Sequence, residues 1–340
     1  MQPKVSIVVP VYGCEAYLPE CIETLRAQTL ADIELIFVCD ASPDRSLPLL
    51  RAAQQADPRV QVIAFSENQG VSAARNAGID AARGEYIGFC DGDDWVEPQM
   101  YARLYEAAQA ADADIAFCRV FKDRPGRRED VPLGFDDGTR FEGQAIRDVL
   151  IPAMLSKPTD SDELPLSGYT PRNLFRRAVI GGHRFRPDIR YAEDLLFIVT
   201  CMLDARSAVA VDKAYYHYRF HGGSVTKRFS PYVPESYDLS NAALEALLSS
   251  NPTCMERMRI RRRKMAVNTV RNLCYPGTPY AFFERVQRAR VFMNMPHISG
   301  LFAGVRLSDF KPRLAIRLGL MKYRQAFLMC WLFSYVFDRV

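Results

Sequence analysis

The stretch Glu85-Tyr-Ile-Gly-Phe-Cys-Asp-Gly-Asp-Asp94 decides how the rest of the chain is read. Tyr86 to Cys90 form a short apolar run of the kind that makes a buried β-strand. The run stops at Asp91, Asp93 and Asp94, three carboxylates within four residues. Such a cluster repels itself unless a cation is present, and closely spaced oxygen donors suit a hard divalent ion, Mg²⁺ or Mn²⁺. The same triplet could instead be an acidic turn capping the next helix. Its place at the end of a strand favours the metal, because open α/β sheets bind their ligands at the carboxyl ends of strands.

Working outward, the same strand-and-helix unit repeats on both sides. Val5 to Val11, Glu34 to Cys39 and Val60 to Phe65 read as strands upstream, and Asp114 to Phe121 as one downstream. Between them lie helical patterns. Glu15 to Gln28 places Leu18, Cys21, Ile22 and Leu25 on one face, Val71 to Ala82 is alanine-rich, and Pro98 to Ala111 follows the acidic cluster. Ser42-Pro43-Asp44 reads as a helix N-cap followed by proline at the first helical position. Alternation of this kind predicts an α/β fold with a doubly wound, mostly parallel sheet. Residues 122–145, rich in Pro, Gly, Arg and Asp, read as loop. Residues 146–228 are mixed α+β, and the chain is mainly helical from about 235 onward. No internal repeat is present.

Of the 340 residues 49% are hydrophobic and 25% charged, which excludes a disordered, collagenous or small disulfide-stapled chain. Nine cysteines are scattered through apolar segments without CxxC or zinc spacing, so reduced thiols and a cytoplasmic location are expected. The N-terminal residues do not read as a signal peptide. The longest apolar run, Ala326 to Phe337, is broken by Ser334 and is shorter than the ~20 residues that span a bilayer. The charge is uneven: residues 229–340 carry a net +10 and residues 1–228 a net −6. The basic part suits a phosphate-rich partner.

Further residues carry chemistry. Asp40 ends the second strand, where a carboxylate could accept from a base or a ribose; it could equally be a turn residue. Tyr12, after Pro10-Val11, places an aromatic ring where a base could stack, or buries it in the core. Gly70-Val-Ser-Ala-Ala-Arg75-Asn76-Ala-Gly78 lacks the dinucleotide fingerprint. Arg75 there suits a phosphate, or an ion pair with Asp40 or Asp91. Glu193-Asp194 opens a helix, a common place for acids. His221-Gly222-Gly223-Ser224 reads as a phosphate or metal loop. Met258 to Lys264 is a basic run that reads as the solvated face of a helix.

In this order the pieces resemble the family 2 inverting glycosyltransferases of GT-A fold, of the bacterial polysaccharide and cell-surface glycan type. The matching segments are Val5 to Tyr12, Leu25 to Thr29, Glu34 to Asp44, Asn68 to Gly78, Arg83 to Asp94, Asn173 to Arg177, Glu193-Asp194 and Tyr218-Arg219 to Ser224. The resemblance implies a Rossmann-like catalytic domain over residues 1–228. Its nucleotide-binding half is residues 1–120 and its acceptor half residues 121–228. A helical, basic region at 229–340 follows. It implies that Pro10, Tyr12 and Glu15 line the nucleotide pocket and that Asp40 meets the uracil. Arg75 would lie near the diphosphate, Asp91 would face ribose or metal, and Asp93 would hold the metal. Asp194 would be the general base with Glu193 beside it, and His221 and Ser224 would contact metal or diphosphate. Cys39, Ala41 and Pro43 depart from the usual Asp-Asp-Gly-Ser-Thr run, and Gly13 stands where Asn is common. The Gln-x-x-Arg-Trp motif of processive synthases is absent.

The expected reaction is transfer from a nucleotide diphosphate sugar, a UDP-sugar, to a hydroxyl of a glycan or lipid-linked acceptor, with Mn²⁺ or Mg²⁺ on the leaving group. The rivals are a nucleotidyltransferase, which would need a phosphate-gripping loop near Pro10 to Leu18, and a catalytically silent nucleotide-sugar-binding scaffold. No motif supports nucleic-acid binding. Leu314 to Phe333 mixes Arg317, Lys322 and Arg324 with apolar residues. It reads as a docking element for an anionic membrane surface at the inner face of the cytoplasmic membrane, as a homo-oligomer contact, or as a packed helix.

Overall fold

A computed structural model of the chain describes residues 2–156, 168–221 and 229–335. It divides into two compact units. The first comprises residues 1–154 and 165–221, the second residues 155–164 and 222–340.

The first unit opens with β1 (Val5–Val11), α1 (Leu18–Arg26), β2 (Ile33–Cys39), α2 (Ser46–Ala56), β3 (Val60–Ala64), α3 (Val71–Ala81) and β4 (Tyr86–Phe89). β5 (Trp95–Val96), α4 (Met100–Ala110), β6 (Ile115–Arg124), β7 (Arg127–Val131), β8 (Arg140–Glu142) and α5 (Ile151–Leu155) follow. It closes with β9 (Asn173–Arg176), α6 (Arg177–Ile180), α7 (Glu193–Asp204) and β10 (Ser207–Arg219). Ten strands form one mixed sheet: eight follow the order β3-β2-β1-β4-β9-β6-β10-β5, while β7 pairs with β6 and β8 with β10. The four on the β3 side run parallel, in register from Val5↔Ile33 to Val11↔Cys39 across β1 and β2. β9 then enters antiparallel between β4 and β6. β2 is buried along its whole length, as strands covered on both faces are.

The parallel half positions the site, because its carboxyl ends bring residues 11–12, 40 and 90–94 together. The Asp40 amide donates to the Val11 carbonyl at 3.0 Å. α3 packs on β1 and β2 through small residues, with Ser72, Ala74, Gly78 and Ile79 buried. Gly78 is needed there, since a Cβ at this position would lie 2.2 Å from Val8 Cγ1. Arg75 shares that buried face, one turn from Gly78 and Ile79.

Two local readings are corrected. Ser42 is not an N-cap, since α2 begins at Ser46 behind Arg45. Asp44 binds the helix start instead, accepting from the Ser46 amide at 3.0 Å. Residues 122–145 are not all loop. β6 runs on to Arg124 and turns back into β7 through Pro125-Gly126, where Gly126 takes φ +73°. Proline then glycine with positive φ is ordinary turn chemistry. Opposite charges face each other across the pair, Arg128 Nε lying 2.6 Å from Asp123 Oδ1. A charged, alternating hairpin therefore has the composition of a loop.

The second unit is helical: α8 (Val233–Leu248), α9 (Pro252–Cys274), α10 (Phe282–Asn294), α11 (Pro296–Ser299), α12 (Pro312–Lys322) and α13 (Ala326–Tyr335). α9 packs against α8, α10 and α13. The basic run on α9 is not a solvated face. Met258, Ile260 and Arg261 are buried, and Arg262 pairs with Glu245 at 2.8 Å. Among the described residues no helix is long and apolar enough to cross a membrane.

Candidate active site

Arg75 is the hub of the site. Its side chain is 4% exposed and its guanidinium divides two groups of carboxylates. NH2 lies 2.9 Å from Asp91 Oδ1, while NH1 reaches Glu193 Oε1 at 3.1 Å and Asp194 Oδ1 at 2.5 Å. The ion pair with Asp91 is thus formed and the one with Asp40 is not. Asp194 Oδ2 also accepts from the Thr170 amide at 3.3 Å. α7 starts at Glu193, behind Ala192 in the left-handed region at φ +64°. Negative charge is favourable at that helix end, which helps two adjacent acids to coexist.

One buried cation facing three carboxylates leaves excess negative charge. Burial and the neighbouring Asp194 push Glu193 up to about 7, with Arg75 opposing. Burial likewise raises Asp194, against the pull of Arg75. In the 91–94 loop, burial and then Asp91 raise Asp93 above the usual carboxylate range. Asp94 is raised further by burial and by Asp93 and Asp91.

β10 holds this loop. The Tyr216 hydroxyl donates to Asp94 Oδ2 at 2.5 Å and accepts from the Asp91 amide at 3.2 Å. Asp94 Oδ1 accepts from the Arg219 amide at 2.8 Å, and Arg219 Nε donates to the Asp93 carbonyl at 2.8 Å. Arg219 lies 4.1 Å from the Trp95 ring centroid and its NH2 2.5 Å from Glu20 Oε2. His221 Nε2 sits 2.9 Å from Asp93 Oδ2, its ring 4.4 Å from that of Tyr17. His217, on the same strand, is buried between Trp95 and Phe121, with Nδ1 2.8 Å from Asp123 and Nε2 3.0 Å from Glu97. Tyr216, His217 and Arg219 belong to the run Tyr215-Tyr-His-Tyr-Arg-Phe-His221, which is dense in aromatic and basic residues. Strand periodicity could have placed 217, 219 and 221 on one side, but not their partners.

The other expected residues fall as follows. Tyr12 is 55% exposed, so it is not a core residue, and Pro10 is half-buried beside it. Asp40 is buried at 2% exposure and fully engaged. Its Oδ1 accepts from the Gln69 amide at 2.7 Å, and Oδ2 from Asn68 Nδ2 and the Gly70 amide, both at 2.8 Å. Gly70 takes φ +89° in that turn. Glu15 joins a second network, accepting from the Arg45 amide at 2.7 Å while its own amide donates to Asp44. Against burial, hydrogen bonds from Ser42, Ser46 and the Glu15 amide hold Asp44 down at about 2. Ser224 lies outside the described residues.

For a metal, Asp93 and His221 are the adjacent donors, and Asp91 is turned to Arg75. Among the described residues no three His, Cys, Asp or Glu side chains converge as a ligand set. A carboxylate raised by its neighbours, next to an imidazole, fits a hard or borderline divalent cation.

The family model for glycosyl transferase family 2 matches residues 6–155. The uncharacterized glycosyltransferase EpsJ of Bacillus subtilis (strain 168) is 39% identical over 236 residues, which cover 69% of this chain and 65% of that protein. The chain thus spans just under two thirds of that relative. Among solved structures, S. aureus TarS 1–349 in complex with UDP-GlcNAc has a TM-score of 0.64 at 18% identity, covering 98% of this chain and 93% of that one. The mannosyltransferase PcManGT from Pyrobaculum calidifontis, in complex with GDP-Man and Mn²⁺, has a TM-score of 0.56 at 14% identity, covering 100% and 89%. At these identities the two structures establish likeness of fold.

Proposed function

We propose that the chain, whose residues 6–155 match the glycosyl transferase family 2 model, is a member of that family and transfers a sugar from a nucleotide diphosphate sugar to a hydroxyl of a glycan or lipid-linked acceptor in polysaccharide synthesis. The donor in this reading is a UDP-sugar, the nucleotide class bound by TarS. The observation that carries the reading is the division of carboxylates by Arg75, with Asp91 on one nitrogen and Glu193 and Asp194 on the other.

Displacement at an anomeric carbon needs two kinds of group. One offsets charge on the departing diphosphate and the other takes a proton from the attacking hydroxyl. We assign the 91–94 loop to the first and the start of α7 to the second. Asp194 accepts the acceptor hydroxyl's proton as the new glycosidic C–O bond forms and the bond to the diphosphate oxygen breaks. Attack opposite the leaving group inverts the anomeric centre. Glu193 shares Arg75 with Asp194 and sets its protonation. Arg75 holds Asp194 in place. The exposed Tyr12 ring and the half-buried Pro10 serve the base, and Glu15 braces the neighbouring loop through Arg45. Asp40 acts by fixing the Asn68–Gly70 turn ahead of α3. Asp93 with His221, and Asp91 beside them, would hold the divalent cation. Bound there, Mn²⁺ or Mg²⁺ supplies Lewis-acid stabilisation of the diphosphate.

The test is a panel of nucleotide diphosphate sugars incubated with the protein and Mn²⁺ or Mg²⁺, assayed for free nucleotide diphosphate. One UDP-sugar should be hydrolysed slowly without acceptor. Tight donor binding with no turnover, with or without glycan acceptors, would overturn the enzyme reading in favour of a silent binding protein.

A further inference from the structure

α13 has an unusual composition for a helix facing water. Its ten residues, Ala-Phe-Leu-Met-Cys-Trp-Leu-Phe-Ser-Tyr, include no charge. The inner face, Ala326, Met329, Cys330 and Phe333, is buried within the second unit. The outer face is equally apolar, yet Phe327, Leu328, Trp331 and Tyr335 are each 43–51% exposed. Helices apolar on every side are normally covered on every side. The outer face also continues onto α10. The Phe282 ring lies 5.5 Å from Phe327 and 5.7 Å from Phe283, which is 76% exposed. Trp331 and Tyr335, 6.3 Å apart, extend the stripe at four-residue spacing from Phe327.

The segment that leads into and forms α13 carries charge of one sign, while Glu284 beside Phe283 is paired with Arg288 at 3.0 Å. From Phe310 to Tyr335 the chain has five basic residues, Lys311, Arg313, Arg317, Lys322 and Arg324, and no acidic one. Lys311, Arg313 and Arg324 are exposed. Lys322 ends α12, and its Nζ donates to the Val305 carbonyl at 2.8 Å. Arg324, exposed just before the N-terminus of α13, stands where the helix dipole disfavours a cation, and it suits an external anion.

We propose that the aromatic stripe Phe283–Phe327–Trp331–Tyr335 docks this unit on an anionic lipid bilayer. The rings would enter the headgroup and upper acyl region, and the flanking cations would meet lipid phosphates. Aromatic and amphipathic side chains settle at that depth, and a ten-residue helix is too short to cross. A second copy fits this surface less well, because a two-fold contact would set the basic residues against one another. The inference rests on this unit's own surface and holds whatever sugar is transferred.

The full chain should sediment with phosphatidylcholine vesicles containing phosphatidylglycerol, scarcely with phosphatidylcholine alone, and should release as salt is raised. The double variant F327S/W331S should bind roughly tenfold more weakly or less. The variant should stay folded with a cooperative melting transition only modestly lowered, because both side chains are about half exposed. Brominated lipid should quench tryptophan emission in the parent chain, and W331F should lose that quenching. Three results would overturn the proposal. The parent chain could stay in the supernatant at low salt. The double variant could bind as tightly as the parent. Light scattering could also show a dimer that F327S/W331S converts to monomer, which would assign the stripe to a second copy.

Discussion

Glu193 and Asp194 compete for one guanidinium in a site short of positive charge, and this has measurable consequences. Asp194→Asn should leave donor affinity within a few-fold of the parent by calorimetry, while transfer falls at least ~10³-fold through loss of the base. Lost donor affinity with retained turnover would reverse that role. Glu193, raised to about 7, binds a proton in the folded chain at a pH where the unfolded chain has released it. Its favourable contribution is therefore fully present below the ordinary glutamate range and is lost as pH rises through about 7. Melting curves should show Glu193→Gln gaining on the parent by up to about 3 kcal/mol from about pH 5 to about pH 8. Ala41 offers a conformational test beside the same site. It follows Asp40 at φ +50°, a region that suits glycine. Ala41→Gly should stabilise the chain by roughly 0.5–1 kcal/mol, read from denaturant midpoints.

At the scale of elements, the site depends on how closely α3 sits on β1. Arg75 reaches the strand ends because Gly78, three residues on, lets the helix backbone approach Val8. Gly78→Ala places a methyl 2.2 Å from Val8 Cγ1, so the helix must move or the strand must yield. The expected cost is about 1–3 kcal/mol together with a larger loss of transfer, because the guanidinium shifts with the helix. Adding Val8→Ala should recover part of both. If Gly78→Ala is neutral in stability and activity, α3 does not set the position of Arg75. β10 is the second such element. It holds the acidic loop through Tyr216 and Arg219, and His221, two residues beyond its end, meets Asp93. The buried His217, between Asp123 and Glu97, anchors the strand beneath them.

Across the whole molecule, all nine cysteines are buried and none is in a disulfide. A thiol reagent should find almost none in the native protein and nine after denaturation, and rapid native reaction at several sites would contradict this burial. The sequence by itself determined the alternating α/β pattern of the first 121 residues, the helical character beyond about 235 and the acidic ends of strands. These follow from local periodicity and apolar runs, which act within a few residues. The hairpin β6–β7 escaped that reading because its charges are balanced across the pair, not along the chain. The basic run on α9 escaped because packing with α8 and α10 buries part of it. The partners of Arg75 stand 16, 118 and 119 residues away, and Tyr216 meets Asp94 across 122. Which carboxylate shares which cation, and so which pKa rises, was decided only by the tertiary structure. The reason is physical: electrostatic coupling and burial depend on distance in space, which the order of residues along the chain does not specify.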